Sequence, residues 1–338
     1  MSIFNIISLL GGLALFLFGM NLMGDGLKNA SSGRLEALLE RLTSNPVKSV
    51  LLGAGVTAII QSSSATTVMV VEFVNSGIMH LEQTVGVIMG ANIGTTITSW
   101  ILSMTGIQTD NPFVKILEPT YFAPILAFIG IVFIMFSKNQ KKHHIGTIFL
   151  GFFVLICGIN TMSDSVAPLA MMPSFTRFMT MFSNPILGLL AGAILTGIIQ
   201  SSSASVGILQ ALCITGTIPF SVAIPVIMGQ NIGTCVTALL SAIGSSRNSK
   251  RAAFIHLYFN LIGTTVFMLA FYSINYFLHF SFLADTATAA GIAVIHSSFN
   301  IMATLLLLPF SKQLVALTYL TLPEQKIPFS QCQQADTN

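Results

Sequence analysis

The chain is predicted to be an all-α integral membrane protein. It has two inverted-topology repeats, each holding a re-entrant helical hairpin and a broken transmembrane helix, and about seven spans in all. Three observations carry this. Of 338 residues, 53% are hydrophobic and 7% charged, where a soluble domain carries about 25% charged residues. The mean hydropathy is +0.83. The pentapeptide Gln61-Ser62-Ser63-Ser64-Ala65 returns as Gln200-Ser201-Ser202-Ser203-Ala204, both times inside an apolar run.

The repeat holds in one register, 139 residues apart, without a gap. Asn45-Pro46 maps to Asn184-Pro185, and Met89-Gly90-Ala91-Asn92-Ile93-Gly94-Thr95 to Met228-Gly229-Gln230-Asn231-Ile232-Gly233-Thr234. Upstream, Gly19 to Asp25 maps to Gly158 to Asp164. A shorter echo follows: His256-Leu257-Tyr258-Phe259-Asn260 resembles His296-Ser297-Ser298-Phe299-Asn300, 40 residues on.

In order, Ile6 to Gly24 is an apolar span, at about 20 residues per crossing. Over 25–44, Leu27, Leu35, Leu38, Leu39 and Leu42 alternate with charged residues at helical spacing, which predicts an amphipathic interfacial helix. Residues 47–60 and 65–79 are two apolar arms around the first serine tip. Each is too short to cross comfortably, so they read as a re-entrant hairpin. Residues 84–105 form a span whose Gly90 and Gly94 flank Asn92, hence the expected break. The span at 119–136 and a polar loop at 138–144 close the first unit. The second runs as span 145–163, linker 164–183, hairpin 185–218 and broken span 219–244. A basic loop at 247–251, spans 252–278 and 287–308, and a polar tail complete the chain. The expected divisions are 1–144 (first repeat plus connecting span), 145–245 (second repeat), 246–310 (two C-terminal spans) and 311–338 (tail).

Counting charges through this topology gathers Lys28, Arg34, Arg41, Lys138, Lys141, Lys142, Arg247, Lys250, Arg251 and Lys312 on one side. By the positive-inside rule that side is the cytoplasm. The expected location is the plasma or bacterial inner membrane, N-terminus outside and C-terminus cytoplasmic. The two hairpins then enter from opposite faces.

The duplicated motifs supply hydroxyls, amides, helix N-termini and freed carbonyls, with no Arg or Lys among them. Hydroxyls and helix N-termini suit an oxyanion. Amide and hydroxyl oxygens suit Na⁺. The expected anion ligands are Ser62, Ser63, Ser64, Thr66, Ser201, Ser202, Ser203 and Ser205. The expected sodium ligands are Gln61, Gln200, Asn92, Thr95, Thr96, Asn231, Thr234 and Glu72. A permanently charged site would cost several kcal/mol to bury in each transport state, whereas Na⁺ brings its charge with the anion. Set against this, Ser and Thr often do no more than line helix contacts, but duplication in register favours the binding reading.

The paired Gln-Ser-Ser-Ser, the Gly-x-Asn-Ile-Gly-Thr segments and the His-x-x-Phe-Asn motif resemble the sodium-dependent phosphate cotransporter family, type II. The stretch Leu15 to Leu27 is similar to its bacterial branch. The resemblance covers most of residues 10–310. It implies a Na⁺-coupled symporter of inorganic phosphate working by alternating access, with Na⁺ as coupling ion and serines of both tips around phosphate. The first unit departs from the animal pattern: Glu118-Pro119-Thr120-Tyr121 follows it, and His-x-x-Phe-Asn stands only at His256 and His296. Left open beside this are another oxyanion, another coupling ion, or an anion channel.

Among single residues, Glu72 is the one carboxylate within a hairpin arm. Asp25 and Asp164 are expected to cap helices more than bind ions. His256, His296, Asn260 and Asn300 are expected to bond neighbouring helices. Cys157, Cys213, Cys235 and Cys332 lack metal-ligand spacing and read as apolar thiols. No metal site beyond Na⁺ is expected. Without His-Glu-x-x-His, a nucleophile elbow or clustered carboxylates, the chain is not expected to be an enzyme. Nothing points to nucleic acid, no cleavable signal is evident, and a homodimer is compatible with the sequence.

Overall fold

A computed structural model describes residues 3–30, 45–106, 116, 118–170, 172, 179 and 181–324. Twelve α-helices make up the fold within them: α1 (Ile3–Ala30), α2 (Pro46–Ile60), α3 (Ser63–Asn75), α4 (Leu81–Ser103), α5 (Pro119–Phe136), α6 (Gln140–Ala170), α7 (Pro185–Ile199), α8 (Ser202–Ile214), α9 (Phe220–Ser241), α10 (Arg247–Leu278), α11 (Ala289–Leu307) and α12 (Ser311–Thr321). Seven segments among the described residues are long and apolar enough to cross a membrane. The hairpin helices α2, α7 and α8 are apolar but shorter.

The repeats are inverted, and the α1–α6 seam shows how. A Cβ added to Gly12 would meet the Met162 backbone at 2.8 Å, one on Gly19 would meet Leu155 at 2.3 Å, one on Gly158 would meet Phe16 at 2.3 Å and one on Gly151 would meet Met23 at 2.5 Å. Contact positions rise along α1 as they fall along α6, so the helices are antiparallel. The glycines pair across the repeat register, Gly12 with Gly151 and Gly19 with Gly158. Small residues of this kind let backbones approach without lipid between them.

The same device packs each hairpin's first arm. A Cβ on Gly90 of α4 would stand 2.0 Å from the Val50 carbonyl of α2, and one on Gly229 of α9 would stand 1.9 Å from Leu189 of α7. Gly94 and Gly233 repeat the contact one turn on, against Ala54 and Ala193.

This corrects the expectation of broken spans. Both α4 and α9 run unbroken through Asn92 and Asn231. Their glycines serve close approach, and each Asn amide donates to the carbonyl one turn back, Ile88 at 3.0 Å and Ile227 at 2.9 Å. The amide therefore stays with the helix ladder instead of interrupting it.

Smaller boundaries also move. The polar stretch at 138–144 and the basic stretch at 247–251 are largely first turns of α6 and α10. Ser246 caps α10 by accepting from the Ser249 N–H. Arg251 is buried, donates twice to the Leu322 carbonyl at 3.0 and 2.7 Å, and lies 3.7 Å from the Tyr319 ring centroid. It ties the end of α12 to α10. Of the expected interfacial helix, residues 25–30 continue α1 and 31–44 lie outside the described residues, as do Cys332 and the tail from 325. The three other cysteines are free thiols.

Candidate functional site

Each hairpin turns through its glutamine. Gln61 caps α2 in the left-handed conformation (φ 58°, ψ 24°), and Gln200 caps α7 at φ 58°, ψ 23°. The next serine starts the second arm: the Ser62 hydroxyl accepts from the Ala65 N–H and the Ser201 hydroxyl from the Ala204 N–H. The four-residue polar word is thus a helix stop followed by a helix start. It places one helix N-terminus inside each apolar hairpin. Farther along, Gly77 (φ 76°) and Gly216 (φ 75°) close both hairpins in the same way.

The arms are stapled beneath the tips. Thr57 donates to Thr66 at 3.0 Å, and Thr196 to Ser205 at 2.8 Å. Thr66 and Ser205 are therefore inside their hairpins, fully buried, and line no part of the cavity between the tips. That departs from the expectation that they bind the anion.

Both tips meet in one chamber of about 300 Å³. Gln61, Ser62, Ser63 and Ser64 line it from one side, and Gln200, Ser201, Ser202 and Ser203 from the other. The Ser64 hydroxyl reaches the Gln200 carbonyl at 3.5 Å. The third wall is α1, through Asn21, Asp25 and Lys28, which recur at one-turn spacing. Lys28 corrects the expectation that no cationic side chain adjoins the tips. It sits in the last turn of α1, where a helix C-terminus favours a cation.

Sequence reasoning also missed Thr98 and Thr237. Thr98 donates to the Gln61 Oε1 at 3.0 Å, and Thr237 to the Gln200 carbonyl at 3.4 Å. The signal was present, since the two threonines stand 139 residues apart like every other matched pair.

The other expected sodium groups lie along α4 and α9. Asn92, Thr95, Thr96, Asn231 and Thr234 are buried. Their side chains donate to their own helices, Thr95 to Ala91, Thr96 to Ile93 and Thr234 to Gln230. Glu72 is placed elsewhere. It is exposed near the far end of α3, roughly 14 Å along the helix from Ser63 at 1.5 Å per residue, and accepts from Asn75 at 3.3 Å. The arm is apolar in composition, but its last turn emerges beside Asn75 and Ser76, so an acid there needs no buried partner. Among the described residues no group of three His, Cys, Asp or Glu could hold a metal ion.

Comparison with known proteins identifies the family. A protein of Bacillus subtilis named Uncharacterized protein YqeW is 29% identical over 309 residues, 91% of this chain and 95% of that protein. The Putative inorganic phosphate export protein YjbB of Escherichia coli is 26% identical over 313 residues, 90% of this chain but 54% of that protein, so the chain spans about half its length. Sodium-dependent phosphate transport protein 2A of Rattus norvegicus is 32% identical over 145 residues, 38% of this chain and 23% of that protein. No solved structure matches. The Na+/Pi-cotransporter family model matches twice, at residues 15–164 and 154–304, and the chain belongs to that family.

Proposed function

We propose that this chain is a secondary active transporter that couples Na⁺ influx to uptake of inorganic phosphate by alternating access. The observation that carries the reading is the single chamber shared by both serine tips. The first N–H groups of a helix have no intrahelical acceptor. At each tip the capping serine takes one of them, which leaves the N–H groups of Ser63, Ser64, Ser202 and Ser203 for an oxyanion. Two such N-termini, from opposite hairpins, surround phosphate with hydroxyls and positive dipole ends.

The carboxamide oxygens of Gln61, backed by Thr98, and of Gln200 supply oxygen for Na⁺ at the chamber edge, while Thr237 holds the Gln200 backbone carbonyl. Asn92, Thr95, Thr96, Asn231 and Thr234 belong to the reading as sodium-site groups of α4 and α9. In this conformation their hydrogen bonds go to their own helices. With α1 ending on the cytoplasmic side, as the charge count has it, the chamber wall runs from the tips toward the cytoplasm along Asn21, Asp25 and Lys28. This is an inward-facing arrangement in the inner membrane.

The printed name of the Escherichia coli relative favours a second reading, phosphate export. Phosphate flux in proteoliposomes separates the two. An inward Na⁺ gradient drives accumulation if the first reading holds. Phosphate flux indifferent to Na⁺ overturns it in favour of a channel or another coupling ion, and flux driven only outward favours export.

A further inference from the structure

One residue on the α1 wall of the chamber has the wrong sign for an anion site. That wall reaches both hairpins. A Cβ added to Gly207 of α8 would meet the Phe16 ring at 2.4 Å, and one added to Gly24 would stand 3.0 Å from the Ile60 carbonyl and 3.8 Å from the Gln61 Cβ. The residue after Gly24 is Asp25. Its side chain is exposed, and it is the single carboxylate among the described residues that line the chamber with the two tips.

Two ordinary duties fail to account for it. The expectation that Asp25 and its copy Asp164 cap helices is not met, because α1 runs on to Ala30 and α6 to Ala170. Both aspartates lie within a helix, not at a start. Pairing with Lys28, three residues on, is the other duty, yet no ion pair or hydrogen bond holds Asp25 among the described residues. The repeat register also separates the two. Asn21 and Asp25 return as Asn160 and Asp164, whereas Lys28 returns as Ala167. The carboxylate recurs where the lysine does not.

The tips by themselves do not decide which oxyanion they hold. Backbone N–H groups and an ammonium only donate, and helix N-termini accept sulfate as readily as phosphate. The two anions share a tetrahedral shape and differ in hydrogen: at neutral pH inorganic phosphate keeps a proton and sulfate has none. An ionised carboxylate is an acceptor only. It takes the O–H of hydrogenphosphate in a short charge-assisted bond, and it meets any oxygen of sulfate with repulsion alone.

We propose that Asp25 is the specificity-determining residue of the chamber. It accepts from a protonated oxygen of the bound anion and excludes oxyanions that are fully deprotonated. Lys28 balances its charge on the same wall. The substrate class is then tetrahedral oxyanions that keep a hydrogen at neutral pH, phosphate and arsenate, as against sulfate. This deepens the proposed function and rests on its reading of the chamber as the oxyanion site. A closed site built to bond a substrate hydroxyl rejects the analogue lacking it by about 10⁴–10⁵, and with Asp25 open to water a preference of about a hundredfold is expected.

The experiment displaces radiolabelled phosphate from the purified full chain in nanodiscs, at saturating Na⁺, with unlabelled phosphate, arsenate or sulfate. Wild type should release the label to phosphate and arsenate at similar concentrations, and to sulfate only at far higher ones. In Asp25→Asn the sulfate-to-phosphate ratio of half-displacing concentrations should fall about tenfold or more, because the amide can donate to sulfate. Asp25→Glu keeps the acceptor and should keep most of the preference. An unchanged ratio in Asp25→Asn overturns the proposal, whether both anions bind more tightly for want of a repelling charge or both more weakly because the wall has shifted. A change confined to the Na⁺ concentration required also overturns it, making Asp25 a cation ligand. Sulfate displacing the label from wild type as readily as phosphate does sinks it even if no variant folds. Wild type that binds no phosphate at all defeats the proposed function itself, an outcome distinct from an unaltered ratio in a chain that does bind it.

Discussion

The two hairpins share a backbone and differ in side chains. Gln61 and Gln200 have the same left-handed turn, Ser62 and Ser201 the same cap, and the arms the same staple. Around that common frame the environments diverge. The Gln61 side chain is buried and held by Thr98, whereas Gln200 is exposed and only its backbone carbonyl is engaged, by Thr237 and Ser64. Thr67 faces Val206 in register, Ala91 faces Gln230, and Glu72 faces Ala211. Free backbone N–H groups at a helix start are thus supplied twice, while side-chain oxygens that suit a cation are supplied unevenly. In the proposed function the symmetric part serves the anion and the asymmetric part the coupling ion.

The largest expected effect comes from the shared part. Ser62→Ala and Ser202→Ala should each abolish phosphate uptake while the protein still inserts and purifies as a single species. Normal uptake in both would remove the tips from the site. Next in size is the uneven part. Gln61→Ala should raise the half-saturating Na⁺ concentration about tenfold or more, since a hydrogen bond or ligand to a charged group is worth about 1.5–3 kcal/mol. Gln200→Ala should shift it less. Equal shifts in sodium-titrated uptake would end the claim of asymmetry.

The staples should behave alike. Thr57→Val and Thr196→Val each remove one buried hydroxyl–hydroxyl bond, at about 1 kcal/mol, with Thr66 keeping its bond to the Ser62 carbonyl, and should lower the melting temperature by similar amounts. A cost confined to one hairpin would show that the frames are not equivalent. The smallest effect is expected at Glu72→Gln, less than twofold on transport kinetics, because that carboxylate is exposed and far from the chamber. A large loss of coupling there would restore it as an ion ligand.

Much of this was legible in the residues. The 139-residue register exposed the repeat and its serine tips, because polar clusters stand out when everything around them is apolar; the short arms gave the hairpins and the count of crossings gave the inversion. Span 119–136 coincides with α5 for the same reason. What composition concealed was the partner of each small or polar residue. A glycine beside Asn92 can break a helix or admit a neighbour, and only Val50 at the Gly90 surface decides between them. Thr66 and Ser205 carry the same hydroxyl as the tip serines, yet sit one turn deeper, where the opposite arm takes them. Lys28 sits seven residues past Asn21, within an expected interfacial helix, and joins the chamber because α1 continues to Ala30.

Convergence of the two tips is the claim on which the rest depends, and thiol cross-linking in a cysteine-free background tests it most directly. With Ser64→Cys and Ser201→Cys in one chain, a short bifunctional thiol reagent should link the tips within a single polypeptide, and phosphate with Na⁺ should protect them. Absence of a link, with both cysteines reactive and indifferent to phosphate, would contradict the account.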